Sequence, residues 1–139
     1  MGNKYLISID QSTQGTKALL FSEKGELCAR ADLAHRQIVN EQGWVSHNGE
    51  EIYQNTMQVI RNVLEREQIS PEDVAGIGIS NQRETAIMWD RETGQPLDHA
   101  VVWQCARAAE ICERKEIQEM AEQVRLRTGL KLSPYFTAA

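Results

Sequence analysis

Between residues 5 and 21 the chain reads YLISIDQSTQGTKALLF: an apolar run, an acid, a turn crowded with hydroxyls and amides, then a second apolar run. A hairpin needs only two turn residues, such as Asn-Gly. Here Asp10, Gln11, Ser12, Thr13, Gln14, Gly15, Thr16 and Lys17 occupy the link. An acid at a strand end, followed by backbone donors and hydroxyls, has the parts of a phosphate cradle. The N–H groups and the Ser12 and Thr13 side chains would hold anionic oxygens, Lys17 would add positive charge, and Asp10 would hold Mg²⁺ directly or through water. The same pattern suits a polar hairpin with an Asx turn at Asp10. It is not a Walker loop, which needs Gly-x-x-x-x-Gly-Lys-Ser/Thr before a helix.

A second group follows in SNQRETAIMW, where Asn81, Gln82, Arg83 and Glu84 come in a row. Four such side chains at a strand end are costly to bury without partners. Arg83 offers a planar fork of donors and Glu84 two acceptor oxygens. Neighbouring hydroxyls of a polyol both give and take hydrogen bonds, so an adjacent donor and acceptor suit one. A surface run of salt bridges is the plainer reading. Two aromatics could complete a polyol site: Trp103 in VVWQ could pack on a carbon backbone, and the Tyr135 hydroxyl in SPYF could mark one end of it. Trp44 and Trp89 are assigned to packing. His35, His47 and His99 lack metal spacing and are expected to be solvent-facing or structural.

These residues need elements to position them. Residues 5–9 and 18–21 read as strands, and EKGE at 23–26 turns around Gly25 into a third strand from Leu27. Residues 35–42 read as a loop. Asn48 is an N-cap, with Glu50 and Glu51 in the first turn. Ile52, Thr56, Val59, Ile60, Val63 and Leu64 recur at helical spacing to about Gln68. Strands are expected at 73–80, 85–89 and 101–103, with RETG at 91–94 as a turn. A second helix is expected over 106–124, with a break near Lys115 and a stop at Gly129. Three strands before the first helix is not a Rossmann order. It predicts an α/β fold with a mixed sheet, of the ribonuclease H-like or actin-like ATPase kind.

Bulk properties narrow the field. The 139 residues are 25% charged and 41% hydrophobic, as in an ordinary globular domain. A net charge of -5 argues against a nucleic-acid partner. No run approaches the roughly 20 apolar residues that span a bilayer, and the start has no signal-peptide architecture. Leu6 stands where a myristoylation motif needs Ser or Thr. Cys28, Cys105 and Cys112 make an odd count without Cys-x-x-Cys, which fits a reducing cytoplasm; Cys105 and Cys112 are expected to be buried.

Together these segments resemble the amino-terminal domain of the FGGY carbohydrate kinases, and within that family its glycerol-phosphorylating members. The match runs along essentially the whole chain, through IDQSTQGTKALLF, GWVSHNGEEIYQNT, GISNQRETAIMWDRETGQPL, AVVWQCARAAEIC and TGLKLSPYFTAA. By position, the resemblance makes Arg83, Glu84, Trp103 and Tyr135 the substrate contacts. It makes Asp10 the acid near Mg²⁺ and the transferred phosphoryl group, with Ser12, Thr13, Gln14 and Lys17 in the phosphate loop. The implied reaction is ATP-dependent phosphorylation of a terminal hydroxyl of glycerol, by alignment and charge neutralisation. The chain departs from the family at Ser12 (usually Gly), Gln14-Gly15 (usually Thr-Ser), Lys17 (usually Arg) and Ala106 (often Arg). These departures bear on the choice of glycerol over another polyol or a ketose such as xylulose.

The resemblance further implies that residues 1–139 are the front of a longer protein, a homo-oligomer when full length. The general base, most of the adenine pocket and a second domain would lie past Ala139, so the 139 residues alone are expected to be inactive. A non-catalytic actin-like nucleotide-binding module is the rival of another class. A nuclease on the same sheet would need a carboxylate cluster for two metals, and Asn81 and Gln82 stand first where it would begin.

Overall fold

Alternation along the first strand decides the fold's first layer. In the computed structural model, which describes residues 4–136, β1 (Tyr5–Gln11) buries Ile7 and Ile9 and exposes Leu6 and Ser8. It pairs antiparallel with β2 (Gly15–Ser22), which pairs antiparallel with β3 (Leu27–Ala34). Residues directly opposite across a ladder project from the same face. The register therefore stacks Ile9, Ala18 and Ala31 in one row and Ile7, Leu20 and Ala29 in the next. Both rows are buried.

The helix α1 (Gly49–Arg66) covers that face, packing on β2 and β3. Asn48 caps it as expected, its side chain accepting from the amides of Glu50 and Glu51. Val59, Val63 and Leu64 supply the buried stripe. Fully burying each is worth about 1.5–3 kcal/mol, so this stripe, more than helix propensity, holds α1 in place. A short 3₁₀ turn (Pro71–Asp73) leads into β6 (Val74–Asn81), which runs parallel to β1. The sheet order is β3-β2-β1-β6. Among the described residues β6 has one ladder partner, β1, and Ile77 and Ile79 are 53% and 65% exposed. The α/β reading with a mixed sheet holds.

The chain divides into two compact units. The first, Met1–Arg36 with Asn48–Gln82, is the one just described. The second is Gln37–His47 with Arg83–Ala139. It carries a three-stranded antiparallel sheet of β4 (Gln37–Val39), β5 (Val45–His47) and β7 (Ala100–Val101). β4 corrects the expected loop at 35–42: Gln37, Ile38 and Val39 pair with His47, Ser46 and Val45. The expected strand at 85–89 is only two isolated bridges, Ala86 with Val101 and Trp89 with Pro96. Trp89 is 60% exposed, so the packing role expected for it is not seen.

The helix expected over 106–124 is three short ones: α2 (Ala109–Cys112), α3 (Lys115–Gln118) and α4 (Ala121–Thr128). The break near Lys115 is real, but a second one follows Gln118. Gly129 ends α4 at φ 75°, a left-handed cap that glycine adopts without steric cost. Cys105 and Cys112 are buried, as expected.

Candidate functional site

The polar link between the first two strands is shorter than its composition suggested. Asp10 and Gln11 close β1, Thr16 and Lys17 belong to β2, and only Ser12, Thr13 and Gln14 form the turn. The ladder continues through the polar residues, with Asp10 opposite Lys17 and Gln11 opposite Thr16. Ser12 closes the turn twice on the Gly15 carbonyl, through its amide at 2.9 Å and its hydroxyl at 3.0 Å. Gly15 is buried, and a β-carbon there would collide with the Leu33 carbonyl of β3.

Register places four side chains in one row on the sheet face away from α1: Asp32, Lys17, Asp10 and Ser80. Lys17 Nζ lies 3.2 Å from Asp10 Oδ2. Ser12, Gln14 and Lys17 line a cavity of about 190 Å³ with Gly15, Thr16, Asp32, Leu33 and Ala34. Asp10 and Thr13 are not among its described lining residues. The sequence reading missed Asp32, a carboxylate where anionic oxygens were expected. Arg30 answers it with a bidentate contact, Nε and Nη2 at 2.9 and 2.7 Å, and this pairing holds the Asp32 carboxyl below its usual range. The signal was there in ARAD: two charges flanking Ala31 on one strand face.

Glu84, Trp103 and Tyr135 meet in the second unit, on the wall of a cavity of about 250 Å³. That lies below the roughly 300–1,000 Å³ of sites for drug-sized molecules, so a small ligand fits it better. The Trp103 and Tyr135 rings are 5.7 Å apart and tilted by 58°, and Phe136 stands edge-on to Tyr135 at 5.0 Å. Glu84 sits at φ 56°, left-handed backbone for a residue that is neither Gly nor Asn. Such strain costs on the order of 1–3 kcal/mol and tends to collect where a side chain must be aimed. Mutual hydrogen bonds between Ala86 and Val101, at 3.0 and 2.8 Å, anchor the segment two residues on. Arg83 is exposed and is not among the described lining residues.

The sequence reading also passed over the cavity's support. Arg107 donates from Nε to Cys105 Sγ at 3.0 Å, and from Nη2 to Ser46 Oγ at 2.7 Å and the Val45 carbonyl at 3.3 Å. Its guanidinium lies over the Trp44 ring, 5.1 Å from the centroid. Burial opposes ionisation of the Cys105 thiol, but hydrogen bonds from Arg107 and from the Val45 amide, with the Arg107 charge, bring it below its ordinary value. Cys-x-Arg after a short strand was the available signal. Among the described residues no group of three or more His, Cys, Asp or Glu could hold a metal ion, and no helix is long and apolar enough to cross a membrane.

An antiparallel three-stranded meander, a covering helix and a fourth strand returning parallel to the first define the sheet of an actin-like ATPase fold. Residues 5–139 match the FGGY family of carbohydrate kinases, N-terminal domain, and the chain belongs to that family. It is 43% identical over 135 residues to glycerol kinase 1 of Thermotoga maritima, covering 97% of this chain and 27% of the relative. It is 46% identical over 134 residues to a glycerol kinase of Alkaliphilus oremlandii, covering 96% and 27%. The crystal structure of Plasmodium falciparum glycerol kinase with ADP superposes with a TM-score of 0.86 at 32% identity, over 98% of this chain and 27% of that one. A gluconate kinase from Lactobacillus acidophilus, at 22% identity and TM-score 0.84 over 96% of this chain and 26% of that one, shares the fold. The chain thus spans about 27% of the length of the curated relatives it matches.

Proposed function

We propose that this chain is the front part of the amino-terminal domain of a glycerol kinase, a longer protein with a second domain that transfers the terminal phosphoryl group of ATP to a terminal hydroxyl of glycerol. The observation that carries this reading is the convergence of Glu84, Trp103 and Tyr135 on one small cavity in a chain whose relatives are named glycerol kinases. Glu84 would accept hydrogen bonds from substrate hydroxyls, with Arg83 donating to them from the preceding position. Trp103 would cover the carbon backbone, and the Tyr135 hydroxyl would bind one end.

Ser12, Thr13, Gln14 and Lys17 would hold the phosphates of the nucleotide. Asp10 would hold Mg²⁺ together with phosphate oxygens. Its carboxylate is half-exposed and already takes a cation, the Lys17 ammonium, which is the donor chemistry a hard divalent ion needs. When bound, Mg²⁺ neutralises charge on the transferred group. Lys17 then faces either Asp10 or phosphate, so its ammonium is available to move between the two. Three free cysteines support a reducing cytoplasm as its compartment, and we place the longer protein there as a homo-oligomer.

The test is ATP-dependent product formation from glycerol, a ketose panel and buffer alone, with the gene product extended past Ala139 and with residues 1–139. Glycerol turnover by the extended protein only is the expected result. Turnover by residues 1–139, or a preference for a ketose such as xylulose, would overturn the reading.

A further inference from the structure

At its polar end, the first hairpin reaches α1 through an imidazole. His35 follows β3 and is buried. Its backbone N–H donates to the Gln14 carbonyl in the turn at 2.9 Å. Its ring Nε2 lies 3.0 Å from Oγ1 of Thr16, which is fully buried. Its other nitrogen, Nδ1, lies 3.2 Å from Nδ2 of Asn55 on α1.

The tautomer follows from a third partner. Asn55 Nδ2 also donates to the Ala34 carbonyl at 3.0 Å. A backbone carbonyl can only accept, so the Asn55 amide must present its NH₂ group there, and its second hydrogen then meets His35 Nδ1. Nδ1 must be the bare, accepting nitrogen. The proton sits on Nε2 and is donated to Thr16. Protonating Nδ1 would set N–H against N–H, and flipping Asn55 would only set oxygen against the Ala34 carbonyl oxygen. The neutral ring satisfies Thr16 and Asn55 together, and the cation does not.

We infer that His35 is a positioning residue, a neutral clamp that fixes the Gln14–Thr16 end of the hairpin against α1 and lets go when its ring takes a second proton. Burial lowers the His35 pKa, while the charge of Glu51, one helical turn before Asn55, acts against that shift. Glu51 also accepts the Arg36 amide at 3.1 Å. Lys17 and Asp32 project from the opposite face of the sheet. Since the folded state disfavours the proton, the clamp's contribution is complete above the ordinary imidazole range near pH 6.5. It is lost as pH falls through that value toward the folded pKa. That the clamp serves phosphate binding rests on the reading of Ser12 to Lys17 as the phosphate loop. The ring chemistry itself does not.

NMR of the imidazole nitrogens in the 139-residue chain, between about pH 5 and 8, reads tautomer and midpoint directly. The expected result is Nε2–H, a midpoint below the ordinary imidazole value near 6.5, and Gln14, Gly15 and Thr16 amide shifts that follow the His35 midpoint. Asn55→Asp replaces the facing donor with an acceptor and should raise that midpoint by about one unit or more. An Nδ1–H ring, or hairpin amides indifferent to its titration, would overturn the clamp, and the wild-type chain alone decides both. A pH-independent KM for ATP in the extended kinase, beside those ring results, would support the clamp and sink the phosphate role of the hairpin.

Discussion

Lys17 and Asp10 face each other across the first hairpin, ammonium to carboxylate at 3.2 Å, with both side chains partly open to solvent. On β3 the residue opposite Lys17 is Asp32, itself occupied by Arg30. One cation therefore sits between two carboxylates, and only one of them is free of a rival partner among the described ion pairs. This makes the pair exchangeable more than structural.

Removing the cation should separate those roles. Lys17→Met is expected to leave unfolding within about 1 kcal/mol of the parent, because exposed ion pairs contribute little. In the extended kinase it should weaken nucleotide binding at least about tenfold, the loss of roughly 1.4 kcal/mol. Lys17→Arg should retain most of the affinity. Denaturant melts and ADP titrations check both arms, and a large stability loss with unchanged affinity would reverse the assignment.

Gly15 has no room for a side chain beside the Leu33 carbonyl. Gly15→Ala should therefore cost about 1–3 kcal/mol, the usual price of overpacking. The shift should appear first in the amides of Ser12, which donates to the Gly15 carbonyl, and of the adjoining Thr16. An unchanged melting curve would mean that β3 gives way easily.

Glu84 offers the opposite experiment. A left-handed backbone costs an L-residue about 1–2 kcal/mol, and glycine loses about 0.5–1 in chain entropy. Glu84→Gly should thus be neutral or up to about 1.5 kcal/mol more stable, while the KM for glycerol rises steeply in the extended kinase. Glu84→Gln keeps the shape and removes the charge, so its KM should fall between. If Glu84→Gly is destabilised, the strain account is wrong.

Arg107→Ala should free the Cys105 thiol to titrate at its ordinary value or above, since the hydrogen bonds and charge that lower it would be gone while burial remained. A thiol that ionises more easily folded than unfolded adds stability as pH rises toward the ordinary range near 8.5. That rise should disappear in the variant. The pH midpoint of alkylation, with Cys28 and Cys112 replaced by Ser, measures the first effect. Melts at several pH values measure the second.

How much of this could be read from residues alone depended on how local the cause was. The N-cap at Asn48, the stripe on α1 and the turn at Gly129 each follow from neighbours within one helical turn, and all three appeared as expected. The extent of the hairpin did not. Polar residues at 10, 11, 16 and 17 looked like loop because a ladder's backbone hydrogen bonds carry no mark in side-chain type. Strand β4 was hidden for a related reason, since QIV is too short to show alternation and depends on pairing with VSH. At the second cavity, Trp103 and Tyr135 were legible as chemistry. Arg107 was not, because its partners Val45 and Ser46 lie about sixty positions away.

Strand β6 carries one further consequence. Its outer backbone edge has no described neighbour, and two isoleucines stand bare beside it. Such a margin is a template for any extended peptide in reach, including a second molecule of the same kind. Concentrated solutions of the 139-residue chain should therefore associate through this margin. A lysine in place of Ile79 should keep the molecules apart, an effect light scattering would register.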